Sequence, residues 1–189
     1  MDYKYLESVL KNCTDNTTER ELFLRHKMKP ILGDMLTEVM ISKGFCRAPA
    51  STKYHGNYPG GLFDHSLAVA CCLQKYTEKL ELKWDEEDSP IRIGMLHDLC
   101  KIDVYKKNSV TDGYEYDDTP IIKGHGDKSV IYAFKHARYL TDKEIACIVY
   151  HMGAYETDRW KDYDNAIKHY PNVLFTHMAD MEASKIMGV

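Results

Sequence analysis

Apolar residues recur along this chain at three- and four-residue intervals, the spacing that lays a stripe along one side of a helix. The first run, over residues 3–13, holds Leu6, Val9, Leu10 and Cys13. Thr18-Glu19-Arg20-Glu21 reads as a capping box, with Thr18 at the N-cap, and predicts a helix to about Met28. Pro30 suits the first turn of another helix, with Ile31, Met35, Leu36, Val39 and Met40 on one face and Gly44 as its stop. Residues 45–61 are broken by Pro49, Gly56, Pro59, Gly60 and Gly61 and read as irregular. A helix begins near Leu62 and carries His65, Ala68, Val69, Cys72, Leu73 and Tyr76.

The acidic stretch Trp84-Asp85-Glu86-Glu87-Asp88 reads as a solvated loop. Ser89-Pro90 is a good N-cap and first-turn pair for a helix with Ile91, Met95, Leu96 and Leu99. That helix should end near Lys101, with His97 and Asp98 in its last turns. Over residues 103–118 the pattern changes: Val104, Tyr105, Val110, Tyr114 and Tyr116 surround an Asp112-Gly113 turn signal and predict a small β-hairpin or an ordered loop. Gly124-His125-Gly126-Asp127 leads into a helix with Val130, Ile131 and Phe134. Thr141-Asp142-Lys143-Glu144 is a second capping box, opening a helix that runs through Ile145, Ile148 and Val149 to about His151. Residues 153–165 read as a loop, and Pro171 opens a last helix with Val173, Leu174, His177, Met178, Asp180 and Met181. The expectation is an all-α fold with a minor hairpin. A single domain spans residues 1–189, its main body lying over 50–185 and its N-terminal helices, residues 1–45, completing the core.

Composition narrows the class. The chain has 189 residues, 44% hydrophobic and 29% charged, which suits a globular domain with a substantial core. No apolar run approaches the roughly 20 residues of a membrane span, and Met1-Asp2-Tyr3-Lys4-Tyr5-Leu6-Glu7 is too polar for a signal peptide. A cytoplasmic location with reduced thiols is expected: the six cysteines contain no C-x-x-C pair. The formal net charge of -4 offers no global attraction to nucleic acid or to anionic membranes.

The candidate chemistry lies in histidines and aspartates set in apolar helical text. His97 and Asp98 are adjacent in Met95-Leu96-His97-Asp98-Leu99-Cys100-Lys101. A carboxylate buried there needs a partner or a metal ion. His65, His125, His151 and Asp180 follow the same habit on other elements. Taken singly, His65 suits a helix surface, His125 a turn and His151 a helix C-terminus. Taken together, six imidazole and carboxylate groups drawn from several helices are what a metal site inside a helical bundle requires. Lys101 lies one helical turn from His97 and Asp98 and either points at the same site or caps a helix end. Lys128, after the Gly-His-Gly turn, either meets a phosphate at a helix N-terminus or is solvated. His55 precedes the glycine pair as a pocket residue, and His177 lies near Asp180 as support. His26, His136 and His169 sit in charged contexts and read as surface residues, and Tyr54, Tyr58, Tyr155 and Trp160 either stack on a nucleobase or cover the core.

These residues stand in an order that resembles a known family. His65, His97-Asp98 and Asp180 match the H…HD…D signature of the HD superfamily of metal-dependent phosphohydrolases, over roughly residues 50–185. Gly60-Gly61-Leu62-Phe63-Asp64-His65-Ser66, Leu96-His97-Asp98-Leu99-Cys100-Lys101, Gly124-His125 and His177-Met178-Ala179-Asp180 carry the likeness. The first and third are most similar to the HD part of bacterial 3′→5′ exoribonucleases and their stand-alone relatives, whose OB-type nucleic-acid-binding domain has no counterpart here. Cys100 departs from the pattern, standing where the family usually has glycine in H-D-x-G-K.

The resemblance implies an HD-domain helical bundle in which His65, His97, Asp98 and Asp180 bind one divalent metal. His125 and His151 would bind a second, with Asp98 bridging. Manganese, iron, nickel and zinc all suit such ligands. Asp98 and Lys101 would be the catalytic residues and Lys101, Lys128 and His55 the substrate contacts. The implied activity is hydrolysis of a phosphoester of a nucleotide or related small molecule by a metal-activated water. The alternatives are a phosphodiesterase or 3′→5′ exonuclease acting on short oligonucleotides, and a non-catalytic metal-containing ligand-binding domain. Some relatives of the same signature are di-iron oxygenases, which the ligand order does not separate. The expected partner is a small phosphorylated molecule rather than extended nucleic acid or a membrane.

Overall fold

A computed structural model describes residues 1–12, 16–111, 113–136 and 139–189. Cys13, expected on the first apolar stripe, and Asp112, half of the expected turn, lie outside the described residues. Helix α1 (Tyr3–Asn12) buries Leu6 and Val9. Helix α2 (Thr17–Phe23) starts earlier than the Thr18 capping box implies. Asn16 is the cap, its side-chain oxygen accepting from the amides of Thr18 and Glu19. With the Arg20 amide already bonded to the Asn16 carbonyl, Thr18 lies inside the helix, and Glu21 pairs with Arg47 instead. A wide π-type turn over Leu24–Met28 leads to the short α3 (Lys29–Leu32).

The helix expected from Pro30 to Gly44 is divided at Gly33, and α4 (Asp34–Ser42) follows. The break resets the face: Leu36, Met40 and Ile41 are buried, but Met35 is 64% exposed. Helix α5 (Gly61–Leu80) is the axis of the molecule, with every residue from Gly61 to Leu73 buried. Helix α6 (Ser89–Leu96) packs along it at close range, since a Cβ on Gly94 would lie 2.3 Å from the Ala70 Cα. Asp88, not Ser89, occupies the N-cap position, and Ser89 is buried as the first helical residue. The helix stops at Leu96, short of the expected Lys101. His97 and Asp98 form a turn, and Leu99–Ile102 is a single 3-10 turn.

Strands β1 (Tyr105–Lys107) and β2 (Tyr114–Tyr116) form the expected hairpin, antiparallel with Tyr105 opposite Tyr116. Helix α7 (Gly126–His136) packs on α8 (Asp142–Val149). The Thr141–Glu144 capping box is present as read, and the spare carboxylate oxygen of Glu144 takes Arg92 at 2.7 Å. Residues 160–165, expected to be loop, open a helix, α9 (Trp160–His169). Its Tyr163, Ala166 and Ile167 meet the core at helical spacing among charged neighbours. Helix α10 (Asn172–Met181) continues into a π-type turn over Glu182–Met187. The fold is all-α apart from the hairpin, and one core cluster runs from Leu6 and Phe23 through α5, α6 and α8 to Ala183. No helix among the described residues is long and apolar enough to cross a membrane.

Candidate metal centre

Six residues from five places in the chain converge at the centre of this bundle. His65 stands on the second turn of α5, and His97 and Asp98 form the turn after α6. His125 precedes α7, His151 follows α8, and Asp180 lies in the last turn of α10. His65, His97, Asp98 and His151 are buried.

Each imidazole is turned by a bond at its back. The carbonyls of Gly94, Ile148 and Val189 accept from Nδ1 of His97 (2.8 Å), His151 (2.7 Å) and His65 (2.9 Å) respectively. A carbonyl has no proton to give, so Nδ1 carries the hydrogen and Nε2 faces the centre as a free lone pair in the neutral ring. His125 rests its Nδ1 against the Cys100 sulfur at 3.5 Å.

Asp98 sits between two groups. Its Oδ2 is 3.4 Å from Nε2 of both His65 and His97. Its Oδ1 is 2.9 Å from His125 Nε2 and 3.7 Å from His151 Nε2. Asp180 joins the first group, with Oδ1 3.2 Å from His65 Nε2. His65, His97 and Asp98 form one cluster with ligand-atom spacing suited to a metal ion, and Asp98, His125 and His151 form a second.

The donor set fits divalent cations. His151 Nε2 is buried without a hydrogen bond among the described residues, with Asp98 Oδ1 3.7 Å away. A nitrogen left so is costly unless a ligand answers it. Imidazole nitrogens with shared carboxylates are a zinc, iron, manganese or nickel donor set.

The protein groups alone already polarise the site. Burial pushes the Asp98 carboxyl up, but Lys101, His97 and His125 outweigh it and hold the group well below the usual carboxylate range. Burial likewise opposes charge on His65, and Asp180 and Asp98 reverse this, raising it to about 9. At His125 burial is again outweighed, by Cys100 and Asp98, and the ring is pushed up to about 10. Asp180 is held low by His65 against its own burial.

Close packing delivers the second cluster. A Cβ on Gly126 would lie 2.5 Å from the carbonyl oxygens of Ile148 and Val149, so the start of α7 abuts the end of α8. The rings of His125 and His151 are thereby 4.9 Å apart. His177 donates from Nδ1 to the His151 carbonyl at 2.8 Å, behind the ligand set.

A cleft of about 660 Å³ opens over the centre, lined by Asp98, His125 and Asp180 at its floor. His55 lines it, its ring 4.7 Å from that of His65 and both its nitrogens buried without a partner among the described residues. Burial, then the charges of His65 and Lys101, push its pKa down to about 4. Lys101 also reaches the cleft, with Nζ 2.6 Å from Asp98 Oδ2.

Lys128 does not. It is buried in an ion pair with Asp103 at 2.5 Å, because its helix turns that face onto the 3-10 segment and away from the cleft. Tyr54 and Tyr155 line the cleft, whereas Tyr58 donates to Asp64 at 3.1 Å and Trp160 packs near Tyr163. His26 and His169 are exposed and His136 is half-buried. Tyr105, Tyr116, Ser184 and Lys185 also line the cleft. The hairpin pattern could have pointed to the two tyrosines, but nothing in the sequence singles out Lys185 or the carbonyl of Val189.

Neither the curated proteins nor the solved structures contain a match to this chain. The family model of the HD domain matches residues 62–180, from the first turn of α5 to Asp180 itself. With the H…HD…D residues gathered at one centre inside that span, the chain belongs to the HD domain family, within the superfamily of metal-dependent phosphohydrolases.

Proposed function

We propose that this protein hydrolyses a phosphoester of a nucleotide or related small molecule, using two divalent cations. The observation that carries the reading is the pair of imidazole clusters sharing the two oxygens of Asp98 at the floor of an aromatic-walled cleft. His65, His97, Asp98 and Asp180 would hold one cation and Asp98, His125 and His151 the other. Bound there, the cations would lower the pKa of a water and offset charge on the phosphoryl oxygens. Lys101 keeps Asp98 ionised and sets an ammonium beside the place a phosphate would occupy. His55 lines the cleft beside His65, and Lys185 offers a second cation at the wall. A volume of about 660 Å³ suits a small ligand, and Tyr54, Tyr105, Tyr116 and Tyr155 give it faces on which a base can stack.

One observation favours a second reading, hydrolysis of short oligonucleotides. Tyr54, Tyr116 and Tyr155 are 78%, 64% and 61% exposed, so the mouth offers aromatic faces beyond the cleft itself. The likeness of the Gly60-Gly61 and Gly124-His125 motifs to exoribonucleases agrees with it.

The test is metal content by elemental analysis for the wild type and Asp98→Ala, followed by assays on phosphomonoesters, cyclic nucleotides and short oligonucleotides. We expect about two metals per chain, both weakened together in the variant, and turnover of a mononucleotide substrate. About one metal per chain would reduce His125 and His151 to substrate contacts. No metal after reconstitution with manganese, iron, nickel or zinc would overturn the catalytic reading.

A further inference from the structure

His97 and His151 are aimed by carbonyls three residues back on their own helices, contacts that form wherever the helix ends form. His65 differs. It stands within α5, and its Nδ1 reaches the carbonyl of Val189, 124 residues along the chain, at 2.9 Å. The path to that contact is specific. Glu182 is held to α5 by Tyr76 at 2.5 Å and by Lys75 at 3.3 Å. The π-type turn then runs along α5 to Gly188, whose φ of +77° turns the chain back. Both Gly188 and Val189 direct their amides to the Ala183 carbonyl, which leaves the Val189 carbonyl facing His65.

We propose that the Gly188-Val189 segment is part of the metal centre, with the backbone oxygen of Val189 acting as the positioning group for His65. The proposal rests on the metal-site reading above. A neutral ring whose Nδ1–H is taken by a backbone oxygen offers Nε2 to a cation. A ring without that bond is free to carry its proton on Nε2 or to rotate. Loss of such a partner behind a ligand typically lowers metal affinity 10–100-fold. The same segment places Ser184 and Lys185 on the cleft wall, so the wall and the aim of His65 come from one piece of chain.

Gly188 gives a clean handle. A Cβ there would meet nothing within 4 Å, so substitution acts on the backbone alone. A β-branched residue resists positive φ, whereas asparagine tolerates it. The experiment compares wild type, Gly188→Val and Gly188→Asn by zinc titration and by NMR of histidine labelled at the ring nitrogens. In Gly188→Val we expect zinc affinity at one site to fall about 10–100-fold and the hydrogen-bonded Nδ1–H resonance of His65 to vanish. Those of His97 and His151 should persist, and Gly188→Asn should behave as wild type. If Gly188→Val loses all three resonances, Gly188→Ala, a milder strain, gives the same reading. A His65 resonance and zinc affinity unchanged in the valine and alanine variants would overturn the proposal. If the wild type binds none of zinc, manganese, iron and nickel while the His65 resonance is still lost selectively, the positioning contact stands and the phosphohydrolase reading falls.

Discussion

The two oxygens of Asp98 face different neighbours, and all of them are cationic or can become so: His65, His97 and Lys101 on one side, His125 and His151 on the other. This arrangement predicts how a cation-stripped protein responds to pH. Asp98 is held below its ordinary 3.8, so its contribution to stability is present above that value and lost as pH falls further. His65 and His125 are raised from 6.5 to about 9 and about 10. Their contribution is full below 6.5 and lost as pH rises through those higher values. The stripped protein should therefore lose Tm as pH rises from about 6.5 through about 9 and about 10. A bound divalent cation should abolish the alkaline loss, since it takes the lone pairs that protons held. Thermal melts across pH, with and without the cation, check this; a stripped protein with a flat alkaline profile contradicts it. At this scale the sequence was most informative where polar residues interrupt apolar text, as at His97-Asp98 and Asp180. Lys128 misled because proximity along the chain to Gly124-His125 says nothing of direction, and its side chain points to Asp103. The role of Val189 was invisible because a backbone oxygen leaves no mark on residue type.

Elements bring these residues to each other through close approaches that only small residues permit. The α5–α6 contact sets the distance from His65 to His97, and it depends on Gly94 lying against the Ala70 backbone. A methyl group at 94 cannot be absorbed by a flexible side chain there, so the helices must separate. Gly94→Ala should destabilise the fold by about 1–3 kcal/mol and also weaken the first cation site, because His97 is three residues along and bonds the Gly94 carbonyl itself. Urea denaturation and metal titration of the variant measure the two effects; a normal metal titration would mean that the α5–α6 spacing does not set the site. Elements were legible where caps and stripes agree, as in α8, whose Thr141–Glu144 box is present. They were misread where a nearby alternative won. Asn16 caps α2 ahead of Thr18, Gly33 divides the helix after Pro30, and α9 hides its Tyr163, Ala166 and Ile167 stripe among charges. The end of α6 was placed too late because its apolar spacing carries on into the 3-10 turn that presents Asp98.

Across the whole molecule, one buried ion pair ties the N-terminal helices to the candidate metal centre. Arg20 on α2 donates from Nε and Nη2 to the two oxygens of Asp64 at 3.1 and 2.8 Å, with both side chains 2% exposed. Asp64 is the residue before His65, so the pair anchors the very turn of α5 that carries His65. We infer that residues 1–45 complete the same core rather than form a separate unit, as Leu6, Phe23, Leu24 and Met40 in its cluster suggest. The consequence can be measured. Removing Arg20 takes the guanidinium away from a buried Asp64 carboxylate, to which Tyr58 still donates at 3.1 Å. Breaking a buried pair from one side costs about 3–5 kcal/mol, so Arg20→Ala should lower stability by that order. Removing both charges together should cost much less than the two single losses added, since neither charge is then stranded. A chain in which the N-terminal helices were an appendage would behave otherwise: Arg20→Ala would leave the main urea transition and the metal titration unchanged. A single shifted transition, with the cation sites weakened in the same variant, would show that the helices ahead of the family-matched span help hold His65 in place.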